Sequence, residues 1–210
     1  MKTLYVVRHG QTEWNVIDRF QGRLDSPLTP AGIRHAEEHG ELLARESVVH
    51  VIASPLGRTR HTAEIINDRL NAMLEFDDRL VERDCGAWEG MTSNAIQREY
   101  PDEWAARLRA PYYHRPPRGE NLADMLVRVQ PLLDGLHALP HERIALVSHG
   151  MMGRVIVSHL LRMAPEDAHR VAQPNDVVYR IELGRERRFH HFRNGLGPHE
   201  GFASRRPQPE

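Results

Sequence analysis

Two strand-like apolar runs, each followed by a histidine, are the clearest feature of the hydrophobic pattern. The first run spans residues 3–8 and ends next to His9, and the second spans residues 143–148 and ends next to His149. Short, continuous apolar runs are typical of strands that are buried on both faces of a parallel sheet. Because ligands bind beyond the carboxyl ends of such strands, we expect the two histidines to meet in one site.

The rest of the pattern alternates between helices and strands. Thr29 and Ser54 are each followed by proline, which predicts two helices with these residues as N-caps. Further predicted elements are short strands at 48–53 and 73–76, helices at 120–139 and 151–162, and a hairpin formed by 177–183 and 187–192. This order predicts an α/β fold, a three-layer α/β/α sandwich with a mostly parallel central sheet.

Two segments fall outside this alternation. Residues 91–121 predict two short helices and a proline-rich connection, which we interpret as a small helical cap inserted beside the site. Residues 1–194 are therefore predicted to form one catalytic domain that contains the cap. Residues 195–210 are polar and rich in glycine and proline, so we expect a flexible C-terminal tail, with a lid over the site as the alternative.

Composition narrows the classes of protein that fit. The 210 residues include 28 basic and 29 acidic side chains, and the net charge of −1 provides no basic footprint for nucleic acid or a membrane surface. The single cysteine, Cys85, excludes an intramolecular disulfide and a cysteine-rich zinc site. No apolar run approaches membrane-spanning length, so we expect a cytoplasmic protein.

The polar residues that this topology brings to the strand ends suit phosphoryl chemistry. Arg8 and Arg58 carry planar, permanently charged groups that match phosphoryl oxygens. Positive charge beside His9 and His149 favours their neutral form, and a neutral imidazole can act as a nucleophile. The carboxyl group of Glu82 could donate a proton to a departing alkoxide.

Six motifs follow one another along the chain. They are Arg8-His9-Gly10-Gln11-Thr12-Glu13-Trp14-Asn15, Leu28-Thr29-Pro30-Ala31-Gly32, Ser54-Pro55-Leu56-Gly57-Arg58-Thr59-Arg60-His61-Thr62-Ala63, Leu80-Val81-Glu82 with Gly86-Ala87-Trp88-Glu89-Gly90, Gly119-Glu120-Asn121, and Ser148-His149-Gly150. In this order they resemble the histidine phosphatase superfamily, in its phosphoglycerate-mutase-like branch. A lone Arg-His-Gly triplet would be weak, whereas the ordered series along nearly the whole chain is specific.

The resemblance implies a role for each matching residue. His9 would become phosphorylated, and Glu82 would act as general acid and then as general base. The phosphoryl oxygens would be held by Arg8, Arg58 and His149. Substrate-binding positions would be Gly10, Asn15, Gln21, Gly22 and Gly150. The resemblance implies no metal and no cofactor, and 2,3-bisphosphoglycerate would be needed only by a mutase.

Several functions remain open at this point. We predict a phosphomonoester phosphatase that acts on a small phosphorylated metabolite, because the chain is short and residues 86–90 resemble the phosphatase branch. A cofactor-dependent phosphoglycerate mutase is the alternative, and the pair Glu82-Arg83 favours it. A metallohydrolase fits less well because arginines flank the histidines, and a non-catalytic binding module fits less well because every catalytic position is filled. A strand edge or a helix face could support a homodimer.

Some residue assignments also remain open. Glu89 competes with Glu82 as the acid, although its place in the 86–90 segment favours a role in fixing that loop. Arg83 could contact substrate or face solvent. The cap segment 100–118 carries aromatic and basic side chains that we expect to recognise the rest of the substrate, namely Trp104, Tyr112, Tyr113, His114, Arg115 and Arg118.

Overall fold

A seven-stranded sheet forms the centre of the protein in the computed structural model, which describes residues 2–204. The strands are β1 (Thr3–Arg8), β2 (His50–Ala53), β3 (Met73–Phe76), β4 (Arg143–Ser148), β5 (Val177–Leu183), β6 (Arg187–Arg193) and β7 (Leu196–Glu200). Their spatial order is β3-β2-β4-β1-β5-β6-β7. The strands from β3 to β1 are parallel, whereas β5, β6 and β7 are antiparallel to their neighbours. The predicted α/β fold is confirmed, and its parallel strands form one continuous half of the sheet.

Helices cover both faces of this sheet. They are α1 (Glu13–Val16), α2 (Pro30–Arg45), α3 (Gly57–Leu70), α4 (Ser93–Glu99), α5 (Pro101–Arg109), α6 (Leu122–Gly135) and α7 (Gly150–Leu160). Leu4 and Val6 of β1 share a core with α6 and α7, whereas Tyr5 and Val7 share a second core with α2 and α3. Since successive side chains of a strand point to opposite faces, the unbroken apolar run of β1 feeds both cores.

The two predicted helix starts have different outcomes. The hydroxyl of Thr29 accepts a hydrogen bond from the first turn of α2, as predicted. Ser54 is not the N-cap of α3, so that prediction is wrong, because the helix begins only at Gly57. The carboxylate of Asp25 accepts hydrogen bonds from the N–H groups of Gly57 and Arg58 and so replaces a local cap.

The cap at 91–121 contains α4, α5 and the irregular connection, as expected. An aromatic cluster fixes it to the rest of the protein. Trp104 of α5 lies 6.1 Å from Trp88 and 6.5 Å from Phe20 between ring centroids, and Phe20 meets Trp88 edge to face at 6.1 Å. Rings at these distances add to the stability gained from burial alone, so α5 is held firmly in place.

The C-terminal residues differ from the expectation. β7 pairs antiparallel with β6, with Glu200 opposite His190. Beyond it, the N–H of Ala203 donates to the hydroxyl of Tyr179 at 3.1 Å. The prediction of a flexible tail is therefore wrong for 196–204, because backbone pairing with a sheet edge orders a polar segment that has little apolar side chain to bury. The rest of that prediction, at 205–210, lies outside the described residues.

The helices are short. The longest in the described part of the chain, α2, has 16 residues and carries several charged side chains. Within residues 2–204, no helix combines the length and the apolar character that crossing a bilayer requires.

Candidate active site

The two strand-end histidines meet, as the sequence predicted. Strands β1 and β4 pair in parallel with Arg8 opposite Ser148, so His9 and His149 leave the same edge of the sheet. Their ring centroids are 5.3 Å apart, with an interplanar angle of 61°. Both residues are buried, with exposed fractions of 2% and 0%.

Hydrogen bonds fix the His9 ring in one orientation and one tautomer. Its Nδ1 lies 2.8 Å from the carbonyl oxygen of Gly10, and since a carbonyl only accepts, Nδ1 carries the proton. The Nε–H of Arg58 donates to Nε2 over 3.3 Å, so Nε2 carries the lone pair. The side chain of Asn175 donates to the backbone carbonyl of His9 at 2.8 Å. A neutral imidazole with its lone pair on Nε2 is the form that a nucleophile requires.

Burial and neighbouring cations keep both histidines neutral. The pKa of His9 lies well below its ordinary value of 6.5, first because the ring is buried and then because Arg58 and Arg8 are close. The pKa of His149 is also well below 6.5, again through burial first and then through Arg58. His9 is therefore neutral, with Nε2 unprotonated, throughout the neutral pH range.

Both predicted arginines are held rigidly. The Nη1 and Nη2 groups of Arg58 donate to two backbone carbonyls at 2.6 and 2.9 Å, and Nη1 also forms an ion pair with Asp25 at 2.7 Å. Arg8 donates to the backbone carbonyl of Gln173 at 2.8 Å. Burial lowers the pKa of Arg8 to about 10, and Glu82 opposes this shift. Arg8 thus remains charged at neutral pH, ready to pair with an anion.

The two competing carboxylates occupy different places. The oxygens of Glu82 accept hydrogen bonds from two backbone N–H groups in the first turn of α7, each at 3.1 Å, directly after the second histidine. Glu89 instead accepts from the N–H groups of Arg23 and Cys85, at 2.8 and 3.2 Å. Glu89 therefore fixes its own loop, and proton transfer by Glu82 stays a prediction.

A cavity of about 240 Å³ joins these groups. Its lining residues are Arg8, His9, Asn15, Asp18, Arg19, Phe20, Gln21, Gly22, Arg58, Glu82, Arg83, Cys85, Arg107, Gly150, Met151 and Arg154. The ten predicted site residues are all in this set except Gly10 and His149. The structure thus brings together His9, both arginines, Glu82 and most of the expected substrate-binding positions.

Two amide side chains in the wall leave polar atoms for a ligand. Gln21 donates through Nε2 to the hydroxyl of Thr12 at 2.8 Å, while its buried Oε1 has no hydrogen-bond partner. Asn15 uses Oδ1 to accept from the Thr12 N–H at 3.1 Å, which leaves its amide nitrogen to donate. Buried polar groups are normally paired, so these atoms fit contacts to a bound substrate.

Gly10 lies beneath the cavity instead of in its wall. Its N–H donates to the hydroxyl of Thr62 at 3.0 Å, and its carbonyl faces His9. A Cβ at this position would overlap the backbone carbonyl of Gly32 in α2. The structure therefore gives Gly10 a packing and orienting position in place of the predicted substrate contact.

His149 also lies below the cavity wall, in contact with the nucleophile. Its Nε2 is 2.7 Å from the hydroxyl of Ser54 and 3.2 Å from that of Thr59. These two hydroxyls fix the ring against His9. A direct bond from His149 to a phosphoryl oxygen stays a prediction.

The expected role of three cap residues is wrong. The hydroxyl of Tyr113 donates to Glu166, His114 stacks on a buried tryptophan ring, and Arg115 forms an ion pair with an aspartate of α6. None of the three lines the cavity, and Arg107 of α5 is the cap residue that does. Arg107 lies in α5, whereas these three residues lie in the irregular connection after it, and composition does not reveal which of these segments faces the site.

The sequence reasoning missed the residues that position the catalytic groups. Ser54, Thr59 and Thr62 all lie within the 54–63 motif, so their place in that motif was the available signal. Gln173 and Asn175 lie in an irregular segment before β5, and no motif marks them. Their contacts with Arg8 and His9 come only from the tertiary fold.

The arrangement is suited to phosphoryl transfer. A neutral imidazole, two guanidinium groups and a carboxylate converge on one cavity, which supplies a nucleophile, stabilisation of phosphoryl charge and a proton donor. Within residues 2–204, no three His, Cys, Asp or Glu side chains are grouped so that they could hold a metal ion.

Comparison with known proteins agrees with this class. The model of the histidine phosphatase superfamily (branch 1) matches residues 4–194, and the chain belongs to this family. The predicted resemblance is therefore confirmed.

Individual relatives carry both mutase and phosphatase names. A protein of Erwinia tasmaniensis named "Probable phosphoglycerate mutase GpmB" is 36% identical over 183 residues, which cover 87% of this chain and 85% of that protein. The structure of Bacillus stearothermophilus YhfR matches with a TM-score of 0.81 and 29% identity, over 93% of this chain and 97% of that one. A mycobacterial glucosyl-3-phosphoglycerate phosphatase solved with VO3 matches with a TM-score of 0.81 and 26% identity, over 90% and 97%.

Proposed function

We propose that the protein is a phosphomonoester phosphatase that acts on a small phosphorylated metabolite through a phosphohistidine intermediate. The observation that carries the proposal is the His9 ring, whose Nδ1–H is bound to Gly10 and whose Nε2 lone pair borders a cavity shared with Arg8, Arg58 and Glu82. The proposed reaction uses no metal, since guanidinium groups supply the positive charge.

In the first step, the Nε2 lone pair of His9 attacks phosphorus and the bond between phosphorus and the ester oxygen breaks. Arg8 and Arg58 offset the charge on the phosphoryl oxygens as it passes from substrate to enzyme. Protonated Glu82 gives its proton to the departing alkoxide, which leaves as an alcohol.

In the second step, a water molecule attacks the phosphohistidine. The carboxylate of Glu82 accepts a proton from the water, the bond between phosphorus and Nε2 breaks, and inorganic phosphate leaves. His9 and protonated Glu82 are then ready for another cycle. The hydrogen bond from Nδ1 to Gly10 persists throughout and keeps Nε2 facing the cavity.

A phosphoglycerate mutase reaction is the second candidate, and the name of the Erwinia relative favours it. A mutase must keep water away from the phosphohistidine and return the phosphoryl group to a substrate hydroxyl. Among the described C-terminal residues, 194–204 contribute nothing to the lining of the cavity. This placement supports hydrolysis, because the described C-terminal residues pack against β5 and β6 instead of over the site.

The first test traps the covalent intermediate. Wild-type protein quenched during turnover of a labelled phosphomonoester should contain acid-labile, base-stable phosphate, and His9→Ala should contain none and lose activity to the assay background. His137→Ala, which changes an exposed histidine far from the cavity, is the matched control. Activity of His9→Ala near the wild-type level would refute the proposal.

Phosphorus NMR then separates the two reactions. The enzyme is incubated with 3-phosphoglycerate and a trace of 2,3-bisphosphoglycerate, and with a panel of other phosphomonoesters. Accumulation of inorganic phosphate from any of them supports the phosphatase. Formation of 2-phosphoglycerate without free phosphate would identify a mutase instead.

A further inference from the structure

Glu82 lies in a segment without regular secondary structure. The short 3₁₀ helix Asp78–Leu80 ends just before it, and residues 81–85 belong to no helix or strand. A proton donor is effective only while its oxygen stays within hydrogen-bond distance of the group that it protonates. Contacts from outside the segment must therefore fix the position of Glu82.

One arginine of α6 holds the backbone that leads to Glu82. The four consecutive carbonyl oxygens of residues 79–82 each accept a hydrogen bond from a side chain, and Arg128 supplies three of these bonds. Its Nη1 donates to the carbonyls of Arg79 and Val81 at 2.8 and 3.0 Å, and its Nη2 donates to that of Glu82 at 3.4 Å. The fourth carbonyl accepts from a serine hydroxyl at the end of β4 at 2.7 Å. Side chains thus replace the backbone partners that a helix or strand would provide.

Glu120 orients this arginine and reaches the other side of Glu82. Its two carboxylate oxygens accept from Nε and Nη2 of Arg128, each at 3.0 Å, and such a two-bond contact fixes a guanidinium in position and in plane. Its Oε2 also accepts from the N–H of Asp84 at 3.0 Å and from Arg23 at 3.3 Å. The pair therefore holds the backbone on both sides of Glu82, before it through Arg128 and after it through Glu120.

The pair is largely shielded from solvent and lies outside the cavity. The side chains of Arg128 and Glu120 are 19% and 20% exposed. Burial raises the pKa of Glu120, but hydrogen bonds from Arg128 and from the N–H of Asp84 outweigh burial and hold that pKa below its ordinary value of 4.5. The carboxylate is thus ionised at neutral pH. Neither member of the pair lines the cavity, so an effect on the reaction has to pass through the segment that they hold.

We infer that Glu120 and Arg128 are positioning residues, which act through the backbone of residues 79–84 to keep the carboxyl group of Glu82 within reach of the leaving group. This inference rests on the proposed function, because it takes Glu82 to be the proton donor. Displacement of a catalytic group by about 1 Å can lower a rate about 100-fold. The groups that bind and attack phosphorus are fixed by other contacts, so loss of the pair should impair proton donation selectively.

Substrates that differ in their need for a proton test this inference. We would measure kcat/KM for p-nitrophenyl phosphate, whose leaving group hardly needs a proton, and for the alkyl phosphate that reacts fastest in the phosphorus NMR panel. Arg128→Met should lower kcat/KM for the alkyl phosphate at least about tenfold more than for p-nitrophenyl phosphate. A variant that only reduced the amount of folded enzyme would lower both values by the same factor, and that result would overturn the inference.

A control and two milder variants complete the set. Arg180→Met is the matched control, because Arg180 is also 19% exposed, pairs with Glu46 at 3.3 Å, and does not line the cavity. Its ratio between the two substrates should stay within about twofold of the wild-type ratio. Arg128→Lys and Glu120→Gln keep most of the side-chain volume but lose the charged two-bond contact, so each should shift the ratio about threefold or more even if Arg128→Met does not fold. An unchanged ratio in both would also overturn the inference.

A double variant separates this inference from the proposed chemistry. Glu82→Gln should show the same selective loss, and adding Arg128→Met to it should change the ratio by less than about twofold, since Arg128 acts through Glu82. If Glu82→Gln is selective but the two effects multiply, the inference is overturned and the proposed reaction stands. If Glu82→Gln is not selective, the assignment of Glu82 as proton donor is wrong, and the inference is refuted with it.

Discussion

Protonation of His39 should weaken the fold as the pH falls. This histidine of α2 is 1% exposed, and its Nε2–H donates to the backbone carbonyl of Asn175 at 2.9 Å. The side chain of Asn175 in turn donates to the backbone carbonyl of His9. His39 therefore anchors the segment that contacts His9, and its protonation would place a positive charge in the interior, where burial disfavours that charge more than nearby Asp176 stabilises it.

The size of the effect follows from the pKa of His39. Burial lowers it from 6.5 to about 4, and the hydrogen bond to Asn175 opposes that shift. The unfolded chain thus binds a proton near pH 6.5, whereas the folded protein does not until about pH 4, so the free energy of unfolding falls as the pH drops through this interval. At pH 5 the loss relative to pH 7 is about 2 kcal/mol from this residue alone.

Urea unfolding at pH 7 and pH 5 measures the loss. His39→Gln keeps an N–H donor for Asn175 and removes the titration, so the variant should lose about 2 kcal/mol less than the wild type between the two pH values. His137→Gln changes an exposed histidine and should behave as the wild type does. If His39→Gln and the wild type lost the same amount, burial of His39 would not be a source of acid sensitivity.

Three further predictions concern the reaction. Glu82→Gln should slow the hydrolysis of alkyl phosphates by about 100-fold or more, but that of p-nitrophenyl phosphate much less, because nitrophenolate hardly needs a proton to leave. Equal losses of rate for both substrates would assign the acid role to another residue. Ser54→Ala removes the 2.7 Å contact to His149 and should lower kcat about tenfold without changing the melting temperature by more than a few degrees. Ser158→Ala, which changes a buried serine of α7 bonded to its own helix, should leave kcat unchanged, and an equal loss in both would show that the effect is structural. Dialysis against EDTA should leave full activity, because Arg8 and Arg58 supply the positive charge that stabilises the phosphoryl group. Loss of activity that a divalent metal restores would support the metallohydrolase hypothesis instead.

Local signals predicted the parallel part of the fold well. The central residues 4–7 of β1 and 144–147 of β4 are all apolar, since both faces of these strands are covered by helices. Thr29 caps α2 because its hydroxyl needs only its own first turn. Features of this kind depend on a few neighbouring residues, so the sequence alone contains them.

Other predictions failed because contacts with distant residues override the local preference. Ser54 carries a strong capping signal, yet its hydroxyl pairs with His149, and Asp25 satisfies the start of α3 instead. The glycine- and proline-rich segment after residue 194 has few apolar side chains, yet β7 forms because β6 offers an unpaired edge. A free sheet edge satisfies backbone groups whatever the side chains are.

The candidate site divides in the same way. The order of motifs predicted His9, Arg8, Arg58, Glu82 and His149 as site residues, and the structure brings the first four into the wall of one cavity. The sequence by itself thus determined the family and the chemistry. Only the tertiary structure decided which groups orient the histidines and which charges border the substrate. These contacts join residues that are far apart in the chain, and the distances between them are set by how the sheet, the cap and the segment before β5 pack together.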